Sequence, residues 1–94
     1  MMVVRNCFIA KPGNASKLAA MLKEMAAEFK LPGHRILTDV TGDFNRVIME
    51  FNVENASEFE ARNREYSTNE ALREKMKGYT DLWITGHREI LRVW

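Results

Sequence analysis

Staples, rigid turns and metal cages draw on cysteine, proline and histidine, and this chain of 94 residues has one, two and two of them. A lone Cys7 rules out an internal disulfide framework and a multi-cysteine zinc site, and it agrees with a reducing, cytoplasmic setting. His34 and His87 stand far apart, and neither has a second ligand at a metal-binding spacing, so the sequence predicts no metal and no cofactor. With five glycines there is no glycine-rich phosphate loop and no Gly-x-Ser-x-Gly elbow. Charge of one sign is also lacking. Lys and Arg number 14 against 13 Asp and Glu, so a net +1 gives no electrostatic footprint for nucleic acid or an anionic membrane. Long apolar runs are absent too: Met1–Val4 is too short for a signal-peptide core, and nothing approaches the ~20 apolar residues of a membrane span.

What is present is an ordinary globular mixture, 46% hydrophobic and 29% charged, long enough for one compact domain over residues 1–94. Val3–Ala10 is rich in Val, Ile and Phe and ends at the turn Lys11-Pro12-Gly13, which predicts a first strand. Leu18, Met21, Leu22, Met25 and Phe29 then recur at helical spacing opposite Lys17, Lys23, Glu24 and Glu28. Asn14 is placed to cap this helix, and Pro32-Gly33 to stop it. Strands over about 34–40 and 46–53 flank the turn residues 41–45 and should pair antiparallel. In the second of these, Val47, Met49, Phe51 and Val53 share one face, and Arg46, Ile48, Glu50 and Asn52 the other. Asn55 and Glu58 make a capping pair for a second helix, which carries Phe59, Asn63 and Tyr66 and breaks near Ser67-Thr68. It resumes through Leu72, Met76, Tyr79, Leu82 and Trp83, and residues 87–94 supply a last strand.

The order β-α-β-β-α-β predicts an α+β, ferredoxin-like, four-stranded antiparallel sheet with both helices on one face. The other face has no element to cover it. The first and last strands carry apolar residues on both sides, and burying apolar area is favourable by roughly 25 cal/mol per Å², so the sheet is expected to pack on a second copy. The expected product is a homodimeric α/β barrel.

Three segments resemble the dimeric α/β barrel superfamily, which includes NIPSNAP-like proteins and antibiotic-biosynthesis monooxygenases. They are Lys11-Pro12-Gly13 before the first helix, the Glu50-bearing strand running into a helix with Phe59 and Glu60, and Gly86-His87-Arg88-Glu89-Ile90. The last is similar to the Gly-x-Arg-Glu-Ile segment of NIPSNAP-like chains. The resemblance spans nearly the whole chain and implies a fold; its members include cofactor-free oxygenases, heme-degrading enzymes, isomerases and proteins without assigned activity, so it fixes no chemistry. Heme-degrading members use an asparagine on the first strand with a tryptophan and a histidine. Asn6, Trp83 and His87 are the nearest counterparts here, but Trp83 lies only four residues before His87, and the triad does not transfer.

The candidate ligand-binding residues are Arg5, Glu50, Tyr66, Trp83, His87, Arg88 and Glu89. Arg5, Glu50, Arg88 and Glu89 are expected on the face turned away from the helices, where charges must pair with one another or with a ligand. Tyr66, Tyr79 and Trp83 suggest an aromatic wall or plain core. Cys7, in an apolar strand without a sequence-adjacent base, reads as a buried inert thiol. Two functions follow. One is a homodimeric binding or structural protein for a small hydrophobic ligand; the other is a cofactor-independent monooxygenase or isomerase acting in the barrel cavity.

Overall fold

The computed structural model describes residues Met1–Trp94. Strands β1 (Met2–Ala10), β2 (Arg35–Thr38), β3 (Arg46–Val53) and β4 (Trp83–Arg92) form one antiparallel sheet in the order β2-β3-β1-β4. Helix α1 (Ala15–Glu28) links β1 to β2; α2 (Ala56–Thr68), α3 (Glu70–Lys75) and a 3₁₀ turn (Tyr79–Leu82) link β3 to β4. This is the expected ferredoxin-like arrangement, with the second helix split in two where Ser67-Thr68 interrupt the pattern.

Val4 faces Phe51 across the β1–β3 ladder and Phe8 faces Val47, so the inward parity of β1 is Met2, Val4, Asn6, Phe8 and Ala10. Val4, Ala10, Val47, Met49, Phe51 and Val53 are buried against Leu18, Leu22, Met25 and Ala26 of α1. The face of β3 expected to meet the helices does so. Fully burying a side chain such as Leu18 is worth about 1.5–3 kcal/mol, so the α1–sheet layer supplies most of the cohesion.

Local chemistry sets the helix ends. Asn14 holds the cap position of α1, but its side chain makes no capping bond, in contrast to the sequence expectation; its backbone N–H closes the preceding turn on Lys11 O at 2.9 Å. The helix stops before Pro32-Gly33. Leu31 N–H donates to Ala26 O at 3.0 Å and Lys30 N–H to Ala27 O at 3.2 Å, a Schellman closure with Lys30 in the left-handed region at φ 54°. At α2, Asn55 accepts from Glu58 N–H at 2.9 Å as expected, while the Glu58 carboxylate reaches Glu54 N–H at 2.7 Å, one residue before the cap.

β4 departs most from expectation. It starts at Trp83, so His87 lies mid-strand and Gly86 sits opposite Phe8. The spacing Leu72, Met76, Tyr79, Leu82, Trp83 imitates a helix, yet Gly78, left-handed at φ 85°, ends it, and the chain turns into the sheet. A register shift between Ile9 and Ala10 absorbs the entry of Trp83. No helix is long and apolar enough to cross a membrane.

Candidate functional site

The two faces of the sheet carry different chemistry. On the helix side a cavity of about 170 Å³ lies between the sheet, α1 and α2, and eleven of its fifteen lining residues are hydrophobic. Its polar groups are few: Asn6 from β1, Arg62 and Asn63 from α2, and Arg88 from β4. Asn6 is buried at an otherwise apolar parity, and its Oδ1 accepts from Arg88 Nε at 2.6 Å. The Arg88 guanidinium also lies 4.9 Å from the Phe59 ring centre, a cation–π contact that ties α2 to β4. Arg62 reaches Glu58 at 3.5 Å, and its buried Nε has no hydrogen-bond partner. Tyr66 lines the same cavity; burial and the neighbouring Tyr79 push its phenol up, so it is a hydrogen-bond donor at neutral pH. The charged lining groups are two arginines and no acid.

α2 forms the wall of this cavity without being seated in the core. None of its residues is buried, and Phe59, Arg62 and Tyr66 are half-buried.

The helix-free face carries Val3, Arg5, Cys7 and Ile9 of β1, Ile48 and Glu50 of β3, Arg35 and Leu37 of β2, and His87, Glu89 and Leu91 of β4. Glu50 is only 3% exposed there and holds two cations: Arg5 Nε donates to Oε2 at 2.6 Å and Arg35 Nε to Oε1 at 2.7 Å. Burial pushes the Glu50 carboxyl up, but the hydrogen bonds from Arg35 and Arg5 and their charges outweigh it and hold the group below the usual carboxylate range. Beside this triad, His87 Nε2 is 3.2 Å from Glu89 Oε1, and Cys7 Sγ is 3.9 Å from the same oxygen. Burial and Glu89 both raise the Cys7 thiol.

The structure therefore divides the seven candidate residues. Arg5, Glu50, His87 and Glu89 share the helix-free face, and Tyr66 lines the cavity. Arg88 is corrected: it pairs with Asn6 in register and points to the helices, because β4 alternates and Glu89 takes the other side. Trp83 is corrected as well. It stands at the start of β4 between Phe8, with ring centres 5.3 Å apart, and Tyr79, at 6.4 Å, and does not line the cavity. Asn6 and His87 lie on opposite faces, which separates the counterparts of the heme-degrading triad. Arg62 and Asn63 are cavity residues that the sequence reading missed. Asn6 had a signal, a polar residue interrupting the Val4–Phe8 parity; Arg62 had none, since a charged residue on an amphipathic helix usually faces water.

This sheet order, with its helices on one face, defines a ferredoxin-like α+β fold, and solved NIPSNAP-domain and antibiotic-biosynthesis-monooxygenase structures share it. An uncharacterised NIPSNAP-domain protein from Burkholderia xenovorans superposes with a TM-score of 0.85 over 100% of this chain and 95% of its own, at 11% identity. A NIPSNAP-family protein from Agrobacterium tumefaciens gives 0.79 over 97% and 90%, at 14% identity. A candidate antibiotic biosynthesis monooxygenase from Chloroflexus aurantiacus gives 0.75 over 99% and 93%, also at 14%. At these identities the likeness establishes the fold and assigns no residue a role. No family model matches the chain, and no curated protein matches it in sequence.

Proposed function

We propose that this chain is a cytoplasmic, homodimeric binding protein for a small apolar molecule bearing an anionic group, held between the sheet and α2. The observation that carries the reading is an apolar cavity of about 170 Å³ whose only charged lining residues are Arg62 and Arg88. An engineered cavity of ~150 Å³ accommodates benzene, so the occupant here is the size of a single ring or a short branched chain. A carboxylate on it would meet Arg88, Arg62 Nε and the Tyr66 hydroxyl, while the ring displaces water from Phe59, Met49 and Phe51. The homodimer rests on the helix-free face: Leu37 and Leu91 are 36% and 39% exposed beside Val3, Ile9 and Ile48, a surface that a second copy covers as a barrel closes.

Amide chemical-shift titration with benzoate tests the ligand class. Saturable shifts at Asn6, Phe59 and Asn63, weakened by Arg88→Met, are expected; equal shifts from benzylamine, or none from any single-ring compound, would refute it. Light scattering after size exclusion should give twice the 10.9 kDa chain mass, and a monomer at micromolar concentration removes the dimer.

A cofactor-independent monooxygenase or isomerase is the second reading, favoured by fold neighbours described as antibiotic biosynthesis monooxygenases. The Asn6–Arg88 pair and the Tyr66 hydroxyl would then hold an enolate or phenolate oxygen as charge develops. Oxygen uptake with an electron-rich phenol in the cavity distinguishes oxygenation from simple binding.

A further inference from the structure

The helix-free face brings together three metal-ligating side chains that lie far apart or out of pattern in the sequence. His87 and Glu89 are two residues apart on β4 and so project to the same side, and Cys7 faces His87 directly across the β1–β4 ladder. One donor atom from each lies within 4.8 Å of the other two. We propose that Cys7, His87 and Glu89 form a zinc site, with thiolate, imidazole and carboxylate from one chain and a water in the fourth position.

Distances support a tetrahedral ion. With Zn–S of about 2.3 Å and Zn–N and Zn–O of about 2.0–2.2 Å, donor atoms around a tetrahedral zinc stand roughly 3.3–3.6 Å apart. His87 Nε2 to Glu89 Oε1 is 3.2 Å and Cys7 Sγ to Glu89 Oε1 is 3.9 Å, so the carboxylate already has near-ligand separations from both. The third separation, between Cys7 and His87, is held only to within 4.8 Å, and the imidazole, 65% exposed in the single chain, turns toward the thiolate to close it. Charge also balances. Thiolate and carboxylate supply two negative charges for a divalent cation beside a neutral imidazole. Arg5, which faces Glu89 in register, commits both Nε and Nη2 to Glu50 and leaves Glu89 without an arginine partner. A sulfur, nitrogen and oxygen donor set with an open position suits zinc and excludes the all-oxygen preferences of magnesium and calcium. Binding replaces the thiol proton with the metal, which releases a proton from Cys7.

All three ligands come from a single chain and lie across the sheet from the cavity, so the site stands independently of the proposed ligand, although it shares the face the proposed dimer covers. Cobalt(II) is the probe, added to untagged protein under a phosphine reductant. Expected are one ion per chain, a near-ultraviolet thiolate-to-cobalt charge-transfer band and the visible bands of tetrahedral cobalt, all abolished by equimolar zinc. Because Cys7 is the only cysteine, Cys7→Ser should erase the charge-transfer band. His87→Ala and Glu89→Gln alter side chains exposed or half-exposed in the single chain but on the face the proposed dimer covers, so circular dichroism and light scattering should show wild-type fold and mass in both. Each should weaken zinc binding more than about tenfold, since loss of an outer-shell partner alone costs 10–100-fold. His34→Ala should bind as wild type. Absence of the charge-transfer band at tenfold excess cobalt, or an unchanged zinc affinity in His87→Ala and Glu89→Gln, overturns the site.

Discussion

Glu50→Gln isolates the largest electrostatic commitment in the fold. The glutamine keeps the shape and one acceptor oxygen but removes the charge from a carboxylate that is 4% exposed and contacted by two guanidinium groups at 2.6 and 2.7 Å. Removing one partner of a fully buried pair costs about 3–5 kcal/mol because the other charge is left uncompensated. In the single chain the cations are not fully buried: the Arg35 side chain is 66% exposed and turns to water, while Arg5 is 36% exposed and only partly rehydrates. The expected loss is therefore about 2–3 kcal/mol, most of it through Arg5. At about 4–8 °C per kcal/mol for a domain of this size, the melting temperature should fall by roughly 10–20 °C. Arg35→Met should cost under about 1 kcal/mol, as for an exposed pair. A double-mutant cycle between Glu50→Gln and Arg5→Met should give a coupling of about 1–2 kcal/mol, and the same cycle with Arg88→Met none, since Arg88 faces the other side. The assay is urea unfolding followed by circular dichroism. A Glu50→Gln midpoint within experimental error of wild type would show that the carboxylate is solvated and that this face is not assembled as described.

Acid should act through the same residue. Its folded-state carboxyl lies below the unfolded value of about 4.3, so the stabilisation is fully present above that pH and is lost as pH falls through the lowered folded value. Unfolding free energy should therefore decline below pH ~4.3, and Glu50→Gln should flatten the decline. Gly86→Ala would place a Cβ 2.9 Å from Cys7 O and 3.2 Å from Phe8 Cδ1; the backbone contact cannot yield cheaply, so a loss of about 1–3 kcal/mol is expected, and an unaltered melt would contradict the β1–β4 register. Lys30→Gly relieves a left-handed lysine at φ 54° and should raise stability by about 0.5–1 kcal/mol in the same urea assay; a lower midpoint would argue against the Schellman end of α1.

Periodicity made the α1–β3 half of the fold legible. Val47, Met49, Phe51 and Val53 alternate without interruption, and Leu18, Leu22 and Met25 keep one helical stripe, so both faces could be assigned before any pairing was known. β4 was harder because its parity depends on where it starts, and the helical spacing from Leu72 to Trp83 hid that start behind Gly78. A one-residue ambiguity there exchanges Arg88 and Glu89 between faces, and that exchange separates the two candidate sites. The Cys7–Glu89 proximity spans 82 residues of sequence and belongs to the ladder, so no spacing rule reaches it. Asn55 and Glu58 were legible because capping is local chemistry.

α2 contributes no buried residue, yet it closes the cavity. Its amides should exchange with solvent well before those of β1 and β3, since local opening is least costly where few apolar contacts are broken. A ligand bridging Arg88 on the sheet and Arg62 on the helix would become part of what holds that helix down, so occupancy should be visible as slowed exchange along residues 56–68. The ordering cost of the helix is then deducted from the ligand's affinity, and substitutions that strengthen α2 alone should tighten binding without touching the ligand.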